Sequence, residues 1–224
     1  MMIEQNQIAR VLRAVDHTNL SVTATFEEIR ETCEEAVHYG CATACIPAYY
    51  VKPISDIMPE VRICTVIGFP NGYNSTAAKC FEAEEAVRNG AVEIDMVINN
   101  GMLGSGVPED ILGEINAVKE VCGDALLKVI IETCLLTGEQ KIELCHIVSS
   151  SHADFIKTST GFSKSGATVE DVALLRANTD PRVGVKAAGG IATIEDAIAM
   201  LNAGADRLGT SRIVRIIKKM EEES

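Results

Sequence analysis

The sequence lacks the marks of a membrane or secreted protein. None of its 224 residues belongs to an apolar run near the ~18 residues that a membrane-spanning helix needs. The segment from Met1 to Gln7 contains neither the basic nor the apolar region of a signal peptide. These absences predict a cytoplasmic protein with no membrane partner.

Basic residues are also scarce. The chain has 20 Lys and Arg residues against 32 Asp and Glu residues, which gives a formal net charge of −12. A negative surface repels a phosphodiester backbone, so this balance argues against a nucleic-acid partner. An anionic substrate would have to be held by a local positive site.

The eight cysteines include no Cys-x-x-Cys pair. Without a signal peptide, a disulfide framework is not expected in a chain of this size. Free cysteine in an apolar pattern behaves as a small hydrophobic residue. His38, Cys41 and Cys45 come nearest to a metal-binding cluster, but their spacing matches no standard zinc site, so a structural role is favoured.

What the chain does contain is a repeated unit, in which a helix ends at a small residue or glycine and a buried strand follows. Alternating strands and helices indicate a parallel sheet, and eight units indicate a closed (β/α)8, or TIM, barrel. An extra helix is predicted over residues 3–14, and the absence of a linker predicts one domain over residues 1–224. The eight strands are predicted at residues 15–20, 43–47, 63–67, 93–98, 126–132, 155–158, 183–187 and 207–209.

Helix starts are marked by caps. Thr25 and Thr137 each stand three residues before a Glu or Gln, which is the pattern of a capping box. Further helices are predicted over residues 75–89 and 108–121, and a final helix over residues 215–224.

The sixth strand carries the first candidate for chemistry. Phe155 and Ile156 have strand character, and Lys157 follows them inside an apolar element. Burial favours the uncharged amine, so we expect a lowered pKa and a nucleophilic lysine of the kind that forms Schiff bases. The competing interpretation is a lysine that extends from the strand end to water.

The seventh strand repeats this arrangement. Lys186 lies near the end of the run Val183 to Ala188, and two glycines follow. Neighbouring strands would bring the two amines together, and each would then lower the pKa of the other. Two such lysines, each followed by a glycine-bearing loop, favour a catalytic function over two independent surface lysines.

Further ionisable residues lie on other strands. Asp16 is on the first, Asp95 on the fourth and Lys128 on the fifth. Asp95 lies among apolar residues and needs a cationic partner if it is buried and charged. An ion pair that only fills the core is the competing interpretation, above all for Lys128.

The last loops predict a phosphate site. Barrel enzymes often bind phosphate with the loops after strands seven and eight, through backbone N–H groups. The glycines that predict this site are Gly189, Gly190 and Gly209, with Gly161 after strand six as an addition, and the family resemblance described below implies Ser211 as well.

Six motifs in order resemble the deoxyribose-phosphate aldolase family of class I aldolases, over nearly the whole chain. They begin at Asp16, Cys64, Glu93, Lys128, Phe155 and Val185. The chain departs from the family pattern at Ala192, where relatives carry arginine. Phosphate would then bind with lower affinity, or backbone N–H groups alone would hold it.

The resemblance implies a barrel that reversibly cleaves 2-deoxy-D-ribose 5-phosphate to glyceraldehyde 3-phosphate and acetaldehyde. Lys157 matches the Schiff-base lysine, and Lys186 matches the second lysine that keeps it deprotonated. Asp95 matches the proton-relay carboxylate, and Asp16 matches a supporting polar residue. The resemblance implies a homodimer or a larger homo-oligomer. It implies no metal and no cofactor.

Three alternatives remain. The chain could be a Schiff-base aldolase for another phosphosugar or for an unphosphorylated aldehyde. It could also be a non-catalytic barrel that binds sugar phosphates, although binding alone would not need both lysines and Asp95. A metal-dependent aldolase is disfavoured because no His and carboxylate cluster stands at the predicted strand ends.

Overall fold

The computed structural model describes residues 5–105 and 107–222, and in them eight parallel strands close into a barrel. Each strand pairs with the next in sequence, and β8 pairs with β1. The predicted (β/α)8 fold is confirmed. The strands are β1 Val15–Thr18, β2 Thr43–Cys45, β3 Ile63–Ile67, β4 Ala91–Val97, β5 Leu126–Ile130, β6 Phe155–Lys157, β7 Gly184–Ala188 and β8 Arg207–Thr210.

Helices alternate with the strands and form the outer layer. The extra N-terminal helix is present from Gln5, while the first two residues of its predicted range, 3 and 4, lie outside the described part. The last two residues of the predicted final helix, 223 and 224, also lie outside it. The helices are α1 Gln5–Ala14, α2 Phe26–His38, α3 Val51–Ile57, α4 Thr76–Arg88, α5 Asn100–Gly104, α6 Pro108–Cys122, α7 Gly138–Ser150, α8 Val169–Asn178, α9 Ile194–Asn202 and α10 Ile213–Glu222.

The predicted capping boxes are confirmed. Thr25 accepts the Glu28 N–H at 3.3 Å, and the Glu28 carboxylate accepts the Thr25 N–H at 2.7 Å. Thr137 and Gln140 exchange the same two bonds. Each box satisfies N–H groups that the first turn of a helix leaves without partners, and so fixes where α2 and α7 begin.

Five strands end earlier than predicted: β4 and β6 by one residue, and β1, β2 and β5 by two, with β2 ending at Cys45 rather than residue 47. β1 ends at Thr18 rather than residue 20, and β5 ends at Ile130 rather than residue 132. The reason in β5 is Glu132, whose φ of 57° turns the chain into the short 3-10 helix Thr133–Leu135. A left-handed residue cannot continue a strand.

The strands separate apolar from charged side chains by their two-residue period. Ile94, Val129, Ile156 and Val185 are fully buried in the apolar core of the molecule. Their strand neighbours point to the opposite face, which is the barrel interior. No helix in the described ranges is long and apolar enough to cross a membrane.

Candidate active site

The interior face of four adjacent strands carries charged side chains. Asp95 on β4 stands in register with Lys128 on β5, and Lys157 on β6 stands in register with Lys186 on β7. Register partners on neighbouring parallel strands project to the same side of the sheet. The sequence-predicted residues are therefore brought together in the barrel.

Asp95 is the centre of this cluster. One carboxylate oxygen, Oδ2, accepts hydrogen bonds from Lys157 Nζ and Lys186 Nζ, each at 2.7 Å. The other, Oδ1, accepts one from Lys128 Nζ at 2.8 Å. Burial acts to raise the pKa of Asp95, but the three lysines outweigh it and hold the pKa well below its usual value. Asp95 is therefore a carboxylate.

Lys186 differs from the expectation. Its Nζ lies 2.5 Å from Asp16 Oδ2 as well as 2.7 Å from Asp95 Oδ2. Burial acts to lower the pKa of Lys186, but these two carboxylates outweigh it and raise the pKa. The prediction that the pKa of Lys186 would fall is wrong, because the sequence did not reveal that two carboxylates face one amine. Lys186 is an ammonium group.

Lys128 is enclosed within the barrel interior and does not line the cavity. Its Nζ is 2.7 Å from Glu93 and 2.8 Å from Asp95, and it is fully buried. Arg207 closes the network by pairing with Glu93 at 2.9 Å and with Asp16 at 2.5 Å. Burial acts to lower the pKa of Lys128, but the surrounding acidic groups raise it well above its usual value. These contacts favour the structural interpretation of Lys128.

Sequence reasoning missed two members of this network. Glu93 could have been found, because it stands two residues before Asp95 on the same strand face. Arg207 carried no such signal, since arginine at the first position of a strand is common at the protein surface.

Two sets of potential metal ligands lie in the described part of the barrel interior, one of Cys45, Cys64 and Asp95 and one of Asp16, Cys64 and Glu93. Lys128 Nζ is already 3.3 Å from Cys64 Sγ and pairs with the carboxylates. Burial raises the pKa of the Cys64 thiol well above its usual value, which keeps it protonated. An ammonium group and a protonated thiol do not fit a divalent cation.

A cavity of about 720 Å³ opens above this cluster at the carboxyl ends of the strands. Lys157 lines it, although its side chain is only 3% exposed. Asp16, Asp95 and Lys186 are fully buried beneath the cavity. The predicted residues therefore form two layers, with the amine of Lys157 between a charged floor and an open space.

All five residues predicted to bind phosphate line the same cavity, namely Gly161, Gly189, Gly190, Gly209 and Ser211. Gly189 and Gly190 have φ values of 75° and 77°, a region that side chains disfavour. A Cβ added to Gly209 would lie 2.9 Å from Ala188 Cβ. Glycine is required here, and the lack of side chains lets a ligand approach the backbone closely.

The cavity also contains residues that sequence reasoning did not single out. Thr160 lies beside Gly161 on the wall, and three basic residues lie on the side of α10. These are Arg212, Arg215 and Lys218. Lys218 pairs with Glu35 at 2.9 Å and with Glu31 at 3.5 Å, so Arg212 and Arg215 supply the local positive charge that an anionic ligand of an acidic protein needs.

The fold and the cavity together define the class: a (β/α)8 barrel whose ligand site lies at the carboxyl ends of its strands, with a lysine at the base of the site. This arrangement is that of the barrel enzymes.

Comparison with known proteins identifies the family. Residues 10–212 match the profile of the DeoC/LacD family aldolase. The deoxyribose-phosphate aldolase of Streptococcus pyogenes serotype M4 is 52% identical over 213 residues, covering 95% of this chain and 96% of that protein. The chain therefore belongs to the DeoC/LacD family and is an aldolase, a carbon–carbon lyase.

Solved structures agree with this assignment. An aldolase designated QR15 has a TM-score of 0.90 and 38% identity, with coverage of 95% of this chain and 96% of that one. The tetrameric deoxyribose phosphate aldolase from Aeropyrum pernix has a TM-score of 0.87 and 30% identity, with coverage of 99% and 100%.

Proposed function

We propose that this aldolase reversibly cleaves 2-deoxy-D-ribose 5-phosphate to D-glyceraldehyde 3-phosphate and acetaldehyde, through a Schiff base on Lys157. The observation that carries the proposal is the position of Lys157, which lines the cavity and shares one Asp95 oxygen with the ammonium group of Lys186. The names of the related enzymes support the choice of substrate.

The interior network leaves one amine facing the cavity. Ion pairs link three carboxylates to four basic side chains inside the barrel, and of these four Lys157 alone lines the cavity. The linked groups are Asp16, Glu93, Asp95, Lys128, Lys157, Lys186 and Arg207.

The proposed reaction begins at the Lys157 amine. The Lys157 amine adds to the C1 aldehyde, and loss of water leaves an iminium ion. Removal of the C3 hydroxyl proton breaks the C2–C3 bond, the electron pair passes into the iminium to form an enamine, and glyceraldehyde 3-phosphate leaves. Protonation of C2 and addition of water release acetaldehyde and free Lys157. Asp95 and Lys186 are the proton carriers that lie beside the reacting nitrogen.

The opposite end of the substrate requires an anion site. The glycines at positions 161, 189, 190 and 209 form a wall of the cavity without side chains, and Ser211 offers a hydroxyl group. Arg212 and Arg215 add positive charge to the same cavity. This end would hold the 5-phosphate while the aldehyde end reaches Lys157.

The remaining expectations are part of the same proposal. The chain would form a single domain over residues 1–224 and work in the cytoplasm without a metal or cofactor. The tetramer reported for the Aeropyrum pernix relative supports a homo-oligomer.

The direct test is an assay of 2-deoxy-D-ribose 5-phosphate cleavage, with both products quantified and with a strong chelator present. We expect equal amounts of the two aldehydes and full activity with the chelator. Cleavage of another phosphosugar in preference would change the substrate assignment. If the protein cleaved no aldehyde substrate, the proposal would fail and a sugar-phosphate-binding role would be favoured.

A further inference from the structure

Glu132 has an unusual backbone conformation for a residue with a side chain. It is the one non-glycine residue there with a positive φ, at 57°. It stands two residues after the end of β5, and its side chain is buried, with 4% of the residue exposed. A strained backbone and a buried carboxylate both cost stability, so the surroundings must require this residue to be where it is.

The partner of Glu132 is Thr160, on the loop that follows Lys157. Glu132 Oε2 accepts hydrogen bonds from the Thr160 hydroxyl at 2.5 Å and from the Thr160 N–H at 3.2 Å. Within the described residues no lysine, arginine or histidine forms an ion pair with Glu132. Apart from a long contact of Cys134 Sγ with Oε1 at 3.9 Å, the hydrogen bonds of the carboxylate all come from Thr160 on the neighbouring loop.

Thr160 connects Glu132 to the wall of the cavity. Its hydroxyl oxygen accepts the N–H of Phe162 at 3.0 Å, which fixes the turn around Gly161. Gly161 has a φ of 86° and packs closely on the next loop, where a Cβ added to Gly189 would lie 3.3 Å from Gly161 Cα. Glycines have no side chains with which to hold a loop in place. The position of the wall therefore depends on Thr160 and on what binds it.

We propose that Glu132 is a positioning residue for the phosphate end of the cavity, acting through Thr160 on the Gly161 backbone. It does not touch the substrate or Lys157. The inference rests on the proposed function, because it assigns Glu132 to one end of that substrate.

The first test does not depend on any substrate. Glu132→Gln removes the charge while keeping the shape, and we measure amide hydrogen exchange over residues 158–163 in the free enzyme and the affinity for inorganic phosphate by calorimetry. Loss of hydrogen bonds to a charged group predicts about tenfold faster exchange and about tenfold weaker phosphate binding. Exchange that stays unchanged, or a wild-type protein that does not bind phosphate, overturns the inference even if the enzyme cleaves another sugar.

The second test separates the two ends of the substrate. For 2-deoxyribose 5-phosphate, Glu132→Gln should raise KM about tenfold and change kcat by less than about twofold. For unphosphorylated 2-deoxyribose, and for borohydride trapping of acetaldehyde, the variant should match wild type. Equal losses with both sugars would place the effect at Lys157 and contradict the inference.

Matched variants exclude a general loss of structure. Glu114→Gln changes another buried glutamate, which pairs with Lys79 at 2.8 Å and does not line the cavity. It should lower stability without changing exchange over residues 158–163. Thr160→Ser keeps the hydroxyl group and should preserve phosphate affinity, whereas Thr160→Val should reproduce the Glu132→Gln defect. Failure of serine to preserve it would contradict a role for the hydroxyl group.

Discussion

The protein buries lysine–carboxylate contacts in two regions. The pKa of the lysine is lowered in one region and raised in the other. Outside the barrel, between α4 and α6, Lys79 pairs with Glu114 at 2.8 Å, and both side chains are fully buried. Inside the barrel, Lys186 pairs with Asp95 at 2.7 Å, and both are again fully buried. The two pairs are therefore alike in burial and in the distance between their charged atoms. They differ in the charged groups that surround them.

In the outer pair, burial dominates. It lowers the pKa of Lys79 and raises the pKa of Glu114, since the single opposite charge does not fully compensate the loss of water. In the barrel, burial acts in the same direction on Lys186, but the Asp16 and Asp95 carboxylates reverse the effect and raise its pKa. A buried lysine is therefore not an activated lysine by itself.

The second difference is access. Lys79 Nζ donates to the Val97 carbonyl and to Glu114, and it lines no part of the cavity. Lys157 shares Asp95 with an ammonium group and faces open space. We infer that access to the cavity beside the charged Lys186, and not burial alone, suits Lys157 to act as the nucleophile.

The largest expected effect is that of Lys157→Ala. Removal of the nucleophile should reduce cleavage on the order of 10³-fold or more while the fold persists, because the covalent route is lost. Steady-state assays and circular dichroism check both statements. Lys52→Ala removes an exposed lysine paired with Asp56 and should be silent. Substantial turnover by Lys157→Ala would remove that residue from its role.

Next in size is the effect of Lys79→Met, which concerns stability alone. It leaves Glu114 buried without its cation and should cost about 3–5 kcal/mol in the free energy of unfolding. Activity per folded molecule should be retained. Chemical denaturation and assays at low temperature measure the two quantities. A loss of activity without a loss of stability would show that Lys79 and Glu114 contribute to catalysis, and it would contradict a purely structural role for this pair.

Lys186→Leu should have a smaller effect on activity, and one that depends on pH. Without the ammonium group, Asp16 and Asp95 lose a shared cation and Lys157 loses a neighbouring proton carrier, so the rate near neutral pH should fall about 100-fold. The size of the loss should depend on pH, because the substitution changes the charge around the reacting amine. Rates are measured from pH 6 to pH 10. A profile of unchanged shape would show that Lys186 does not act through charge.

The smallest effect is expected in acid. The folded pKa of Asp95 lies well below its value of about 3.9 in an unfolded chain, so on acidification the unfolded state binds the proton first. The stabilisation is present above pH ~4 and is lost as the pH falls, at up to about 1.4 kcal/mol per pH unit. Asp95→Asn should show a shallower acid dependence in urea titrations. An equal slope would mean that Asp95 contributes nothing to acid stability.

Much of the fold was accessible from the sequence because its signals are local. The caps at Thr25 and Thr137 and the two-residue period of the strands need only neighbouring residues, and they led to the correct order of eight strands. The proximity of Lys157 and Lys186 on neighbouring strands followed from that order. Bounds erred where local rules fail, as at Glu132, whose left-handed backbone is stabilised by Thr160 on another strand's loop.

What the sequence did not reveal depends on distant residues. Lys79 has the surroundings of any helical lysine in the sequence, and its burial results from the packing of α4 against α6. The direction of the pKa change at Lys186 required knowing that Asp16, far away in sequence, lies 2.5 Å from its amine. Contacts of this kind cannot be read from spacing or periodicity.

The most direct test of the account is borohydride reduction of the enzyme in the presence of acetaldehyde, followed by peptide mass mapping. All lysines compete in this experiment, including Lys79, Lys128 and Lys186. The account predicts a reduced adduct on Lys157 and none on the other three. An adduct on Lys186, or no adduct under conditions in which the substrate is cleaved, would contradict it.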